Sequence, residues 1–137
     1  MATAKITYLG QLRTQGVHLK SGSEILTDAP VDNHGKGEAF SPTDLVASAL
    51  GSCMLTIMGI VAQRDGIDIT GTEVEVTKSM AESPRRIGQL EVKLKIKTNQ
   101  PLTETRRKKL ENAALTCPVA ESLHPDLKQV VSFEFLV

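Results

Sequence analysis

The sequence predicts an α+β fold, in which antiparallel sheets pack around one long helix, and three features indicate it. Glycine-punctuated, strand-like segments occupy the first part of the chain, an uncharged run spans Leu45–Val61, and apolar residues alternate with charged ones within Gly88–Thr98. Strands that precede and follow a helix in this order are typical of an antiparallel sheet. At 137 residues, a single domain over residues 1–137 is expected.

The amino-terminal region predicts a three-stranded meander. Lys5–Leu9, Val17–Leu19 and Ser23–Asp28 have strand-like composition, and Gly10 and Gly16 punctuate the chain between the strands. The strands are short, so the meander is expected to pack on another element.

A polar loop, residues 32–38, leads into the long helix. Ser41 can cap this helix, Pro42 suits its first position, and Asp44 completes a capping box. The helix is expected to end at Gly66. Its apolar residues cover nearly the whole circumference: Leu45, Val46, Ala49, Leu50, Met54, Leu55, Ile57, Met58, Ile60 and Val61. A helix that is apolar all round must be buried on every side, so a second subunit is expected to cover part of it.

The second half of the chain predicts two strands, two helices and a closing strand. Thr72–Ser79 and Gly88–Thr98 are the strands, and Thr103–Leu115 is a polar helix with a thin apolar edge. A short helix begins at Pro118. Alternating apolar residues then predict a closing strand: Val131, Phe133, Phe135 and Val137.

Composition and charge exclude several classes of partner. Sixteen basic residues balance sixteen acidic ones, so no net field favours nucleic acid or an anionic membrane. The one basic run, Arg106–Lys109, lies between Glu104 and Glu111 and is interpreted as a solvated helix face. The uncharged run is short for a bilayer span of about 20 residues, which favours a core helix. The amino terminus lacks the order of a signal peptide, and this predicts a cytoplasmic protein.

Two cysteines lie in unlike settings. Cys53 lies within the apolar helix, where a cysteine is usually a small core residue. Cys117 directly precedes Pro118, which places it at a helix N-cap, where the helix dipole is expected to favour a thiolate. In a reducing compartment, two such cysteines are more often catalytic, metal-binding or inert than a permanent bridge.

The pair suits the reduction of a peroxide. Cys53 would react as a thiolate and become a sulfenic acid, which Cys117 could resolve into a disulfide. No basic residue lies between Thr43 and Gln63, so the cation that stabilises the thiolate must come from elsewhere, and Arg13 is the best candidate. Taken alone, Arg13 would be a solvated surface side chain. Apolar walls would favour an organic hydroperoxide, and the neighbouring candidates for this pocket are Leu50, Met54 and Ile57.

Together, these segments resemble the OsmC/Ohr family of thiol-dependent peroxidases. The match rests on Ser-Pro-Thr-Asp-Leu at 41–45, Ala-Leu-Gly-Ser-Cys at 49–53, Cys-Pro-Val at 117–119 and Arg13. The resemblance implies an intertwined homodimer, with long central helices back to back between two sheets. It also implies that Cys53 is peroxidatic, Cys117 is resolving and Arg13 is the thiolate's partner. No cofactor is expected, and an external dithiol, such as a lipoylated protein, would be the reductant.

One position departs from the family's pattern. Members with established peroxidase activity carry a glutamate directly after the proline, which holds the arginine by a salt bridge, whereas this chain has Thr43. Asp44 lies about 100° further around the helix and is expected to serve the capping box. Glu38 could replace the missing carboxylate if its loop folds over the site. The alternative function is therefore an OsmC-like ligand-binding or thiol-sensing protein with little peroxidase activity.

Overall fold

In the computed structural model, which describes residues Met1–Leu136, six strands form two separate three-stranded sheets. The chain divides into two compact units, Met1–Val46 and Ala47–Val137. The elements are β1 (Ala4–Gly10), β2 (Arg13–His18), β3 (Glu24–Asp28), α1 (Pro42–Arg64), β4 (Glu73–Ala81), β5 (Arg86–Lys97), α2 (Glu104–Leu115), α3 (Pro118–Ser122) and β6 (Lys128–Leu136), with a 3₁₀ turn at Val31–Asn33. The α+β class is confirmed.

The first unit contains the predicted meander, in the order β1-β2-β3 with antiparallel pairing throughout. The second strand begins at Arg13, not at Val17 as predicted. Three successive residues with positive φ, Gly10, Gln11 and Leu12, reverse the chain immediately before it. Neighbours on both sides then hold the start of β2 extended, although it lacks an alternating pattern.

One face of this first sheet exposes large apolar side chains. Ile6, Gly16 and Ile25 are directly opposite one another across the three strands, so they share a face, and Tyr8 lies two residues along β1 on the same side. Ile6, Tyr8 and Ile25 are 64%, 63% and 53% exposed. We call these three residues the first-sheet apolar face.

Helix α1 begins with the predicted capping box. The backbone N–H of Ser41 donates to Asp44 Oδ2 at 3.0 Å, and the N–H of Asp44 donates to Ser41 Oγ at 3.1 Å. The helix ends at Arg64, and Gly66 follows with a positive φ of 69°. Its length and a mean hydropathy of 2.1 would also suit a bilayer span. Six residues face the interior: Ala47, Leu50, Gly51, Met54, Met58 and Ala62.

The expectation that α1 is buried on every side is wrong within one chain. Ser48, Ser52, Thr56 and Ile60, each four residues after the last, form an exposed strip along the helix. Residues four apart lie on one face, so the strip is continuous. We call these four residues the α1 strip.

The second unit packs α1 and α2 on the β4-β5-β6 sheet. The predicted alternation in β5 is confirmed, because Leu90, Val92, Leu94 and Ile96 are buried in the core. Strand β6 runs parallel to β5, so the prediction of wholly antiparallel sheets is wrong for this pair. The connection contains α2 and α3, and such a crossover lets the chain re-enter the sheet in the same direction. Val137, the last residue of the predicted closing strand, lies outside the described residues.

Candidate functional site

In the first unit, strand register brings Arg13 and Asp28 together. The two residues are directly opposite in the β2–β3 ladder, where facing side chains start about 5 Å apart. Arg13 Nε donates to Asp28 Oδ1 at 2.7 Å, and Nη2 donates to Oδ2 at 2.8 Å. The Asp28 side chain has no exposed surface, whereas that of Arg13 is 26% exposed. Hydrogen bonding to the guanidinium lowers the pKa of Asp28, and the carboxylate raises the pKa of Arg13.

The loop before α1 adds a second carboxylate to this pair. Arg13 Nη2 also donates to Glu38 Oε1 at 3.1 Å, and the backbone N–H of Glu38 donates to Asp28 Oδ2 at 3.1 Å. Gly35 shapes the loop, because a Cβ there would lie 1.8 Å from the carbonyl oxygen of Ala29. The expected approach of Glu38 to Arg13 is therefore present.

Thr43 and Asp44 lie at the start of α1. Asp44 takes part in the capping box, as expected, and the Thr43 hydroxyl lies 3.2 Å from Ser41 Oγ. Threonine carries no charge, so the buried carboxylate beside Arg13 comes from Asp28. Asp28 was not among the site residues predicted from the sequence. Its position at the end of the predicted third strand was visible, but the register that pairs it with Arg13 was not.

In the second unit, Cys117 is the N-cap of α3, as predicted. Its φ and ψ of −64° and 151° are extended, and its Sγ accepts a hydrogen bond from the backbone N–H of Ala120 at 3.4 Å. The side chain has no exposed surface. Burial is the main cause that raises the pKa of the Cys117 thiol, and it outweighs the opposing effect of the Ala120 N–H. The expectation of a thiolate at Cys117 is therefore wrong.

Cys53 lies beside Cys117. Both cysteines are free thiols, and the half-buried Cys53 packs against the core cluster that contains Cys117. The Cys53 side chain also raises the pKa of Cys117, which indicates that the two thiols are near each other. Two adjacent thiols of unequal exposure can be oxidised in sequence, first at the more accessible sulfur.

The predicted pocket residues lie on the same stretch of α1 as Cys53. Leu50 and Met54 have no exposed surface and belong to the core, and Ile57 is half-buried at its edge. They lie three residues before, one residue after and four residues after Cys53 along α1. Their role towards a substrate stays a prediction.

The family model for OsmC-like proteins matches residues 35–131, which is more than half of the chain. The chain belongs to the OsmC-like protein family. A putative osmotic stress induced and detoxification response protein from Psychrobacter arcticus is 56% identical, with 98% of this chain and 96% of that chain covered and a TM-score of 0.92. No match was found among curated proteins.

Two more distant structures share the fold of this OsmC-like protein. One is an organic hydroperoxide resistance protein OsmC and predicted redox protein from Legionella pneumophila, 18% identical over 98% of both chains with a TM-score of 0.71. The other is an organic hydroperoxide resistance protein from Elizabethkingia anophelis, 16% identical over 99% of this chain and 98% of that chain, with a TM-score of 0.72.

The guanidinium of the OsmC-like protein has one edge left for another anion. Its Nε and Nη2 serve the two carboxylates, whereas no hydrogen bond within residues 1–136 uses Nη1. Arginine carries two N–H donors on that nitrogen. The first unit therefore contains an oriented cation, Arg13, with two N–H donors on Nη1 that can bind an anion. The second unit contains two neighbouring thiols, Cys53 and Cys117.

Proposed function

We propose that this OsmC-like protein reduces organic hydroperoxides with a dithiol as the electron donor. Cys53 is the peroxidatic residue, Cys117 is the resolving residue, and Arg13 stabilises the reacting thiolate. The shared packing of the two free cysteines supports the proposal, because a sulfenic acid at Cys53 would form near a second thiol. The names of structures with the same fold, which include organic hydroperoxide resistance proteins, support this direction.

The reaction has three steps. The Cys53 thiolate attacks the distal peroxide oxygen, the O–O bond breaks, and the leaving alkoxide takes a proton to become an alcohol. Cys117 then attacks the Cys53 sulfenic acid, which forms the disulfide and releases water. An external dithiol, such as a lipoylated protein, reduces this disulfide by two thiol exchanges and is itself oxidised to a disulfide.

The class of peroxide follows from the surroundings of Cys53. Leu50, Met54 and Ile57 lie on the same stretch of α1 as Cys53. Leu50 and Met54 have no exposed surface in one chain, so of these three the half-buried Ile57 is the side chain that a substrate could touch. The transfer of an alkyl or aryl group from water to an apolar surface is favourable, whereas hydrogen peroxide has no such group. We therefore expect organic hydroperoxides to be the better substrates.

The proposal includes a cytoplasmic homodimer. The α1 strip is exposed and consists mainly of small side chains, which allow two helices to approach closely. The first-sheet apolar face is also uncovered in one chain, and apolar patches of this kind often mark protein interfaces. A second copy of the chain is the partner that we propose for both surfaces. The reducing cytoplasm would supply the thiol reductant, and neither nucleic acid nor a membrane is a partner in this proposal.

A hydroperoxide assay tests the proposal. The wild type, Cys53→Ser, Cys117→Ser and the neighbouring control Ser52→Ala are each mixed with cumene hydroperoxide and dihydrolipoamide, and the remaining peroxide is measured. We expect turnover by the wild type and Ser52→Ala and none by Cys53→Ser. In a separate reaction without dihydrolipoamide, Cys117→Ser should release one alcohol per subunit in a burst and accumulate a sulfenic acid that dimedone traps. Equal consumption by the wild type and Cys53→Ser would exclude the proposed chemistry.

The burial of Cys117 favours one alternative, which is a thiol sensor with little turnover. A protonated, buried thiol attacks slowly, so the Cys53 sulfenic acid would persist. In the reaction without dihydrolipoamide, a wild-type sensor would accumulate a long-lived sulfenic acid that dimedone traps. In the reaction with dihydrolipoamide, it would show no turnover above that of Cys53→Ser.

A further inference from the structure

We propose that Asp28 is the positioning residue of this site and that it fixes the orientation of the Arg13 guanidinium. The inference rests on the proposed function, in which Arg13 faces a reacting thiolate. Asp28 would touch neither substrate nor sulfur, and it would act through the arginine.

The contact between the two side chains determines the direction of the guanidinium. Two parallel hydrogen bonds, of 2.7 and 2.8 Å, join one edge of Arg13 to both oxygens of Asp28. A bidentate pair of this kind fixes the plane of the guanidinium as well as its distance. The Nη1 edge then points away from the carboxylate, with its two donors free for a thiolate or a peroxide oxygen.

Asp28 is itself held from the backbone side. Its Oδ2 accepts a third hydrogen bond from the N–H of Glu38, and its own N–H donates to the carbonyl oxygen of Phe40 at 3.1 Å. The ladder places its Cα opposite that of Arg13. The carboxylate therefore has little freedom to turn.

Glu38 holds the arginine less firmly. Its carboxylate makes one hydrogen bond of 3.1 Å and is 66% exposed, whereas the Asp28 side chain has no exposed surface. Exposed ion pairs are screened by water and contribute little to the placement of a side chain. We therefore assign the orientation to Asp28 and an accessory charge to Glu38.

The first test observes Arg13 directly, without reference to activity. The Nε–H resonance of Arg13 is assigned in a ¹⁵N-edited NMR spectrum by comparison with Arg13→Lys. We expect slow solvent exchange in the wild type, in Glu38→Gln and in Glu24→Gln, which removes an exposed carboxylate from the same strand. In Asp28→Asn the signal should exchange at least tenfold faster or disappear. A protected Nε–H in folded Asp28→Asn would overturn the proposal.

The second test follows the pH dependence of Cys53 alkylation in a Cys117→Ser background. If Asp28 acted only through its charge, Asp28→Asn would shift the midpoint to lower pH, since removal of an anion favours a thiolate. Loss of orientation predicts the opposite, a higher midpoint and slower alkylation at pH 7. Glu38→Gln should leave the midpoint unchanged or lower it. An unchanged or lower midpoint in Asp28→Asn would overturn the assignment.

Arg13→Lys keeps the inference testable if Asp28→Asn does not fold. Lysine retains the positive charge but cannot form a bidentate pair, so the midpoint should rise as it would in Asp28→Asn. A wild-type profile in Arg13→Lys would contradict a role for orientation. Failure of the proposed function is recognised separately, because a wild type that consumes no hydroperoxide can still show the protected Nε–H and its loss in Asp28→Asn.

Discussion

Gly51 allows α1 to approach β4 closely, two residues before Cys53. A Cβ at position 51 would lie 3.0 Å from Cγ2 of Val76 and 3.2 Å from Cγ1 of Val74. Carbon atoms in proteins normally meet at about 3.5–4.0 Å, and a β-branched valine has few rotamers by which to retreat. Overpacking of this kind costs about 1–3 kcal/mol. Alanine recovers about 0.5–1 kcal/mol through its greater helix propensity, so Gly51→Ala should lower the free energy of unfolding by about 0–2.5 kcal/mol.

A double-mutant cycle separates the clash from the helix propensity. Val76→Ala removes the methyl group that is nearest to the new Cβ, whereas the propensity gain at position 51 is the same in both backgrounds. We therefore expect Gly51→Ala to be about 1–2 kcal/mol less harmful in Val76→Ala than in the wild type, within the range of coupling between contacting residues. Urea unfolding of the four proteins, at one fixed protein concentration, measures this coupling. A coupling below about 0.5 kcal/mol would refute the packing argument.

Four further predictions follow from the site and the proposed dimer. Because the pKa of Cys117 is raised, its thiolate is the minor form from pH 6 to 8. The rate of disulfide formation should therefore rise about tenfold per pH unit, as measured by mass spectrometry of samples quenched at successive times. A rate that does not change with pH would contradict this prediction. The pKa of Asp28 is lowered in the folded state, so its contribution to stability is complete above the ordinary carboxyl value and is lost as the pH falls through the folded value. Below about pH 4, the free energy of unfolding of Asp28→Asn should therefore fall less steeply with decreasing pH than that of the wild type, as measured by acid unfolding followed by circular dichroism. The same pH dependence in both proteins would argue against this prediction. Thr43→Glu should change the peroxidase rate less than about twofold, because the buried carboxylate of Asp28 already binds Arg13. A rise of about tenfold, which corresponds to an activation free energy lower by about 1.4 kcal/mol, would show that Asp28 alone does not hold Arg13 in place. Tyr8→Asp, on the first-sheet apolar face, should yield monomers in analytical ultracentrifugation. The control Thr77→Asp, at an exposed position of the other sheet, should stay dimeric. An unaltered dimer in Tyr8→Asp would exclude the first-sheet apolar face from the interface.

Local signals made much of the fold predictable. Ser41 and Asp44 form the capping box that their spacing indicates, and the alternation in β5 places Leu90 and Val92 in the core. Such features depend on residues that are close in sequence. The direction of β6 was not predictable in this way, because it depends on the path of two helices across the sheet.

The missed part of the site has the same kind of cause. Arg13 meets Asp28 because three residues with positive φ set the β1–β2 turn and hence the start of β2, and only one of these three is a glycine. The raised pKa of Cys117 was not predictable for a different reason. Its N-cap position was readable from Pro118, but its complete burial depends on packing by distant residues.

The proposed cation and the proposed thiols are held in place by different kinds of interaction. Strand register and a glycine-shaped loop place the Arg13 cation, whereas helix packing in an apolar core places the thiols. Ladder hydrogen bonds fix a position even where side chains are exposed, and core packing fixes a position only where they are buried. The position of the Asp28 carboxylate on β3 therefore does not depend on Thr43 at the start of α1. On this argument, Thr43 does not by itself imply a loss of activity, and the buried, protonated state of Cys117 is the feature more apt to limit turnover.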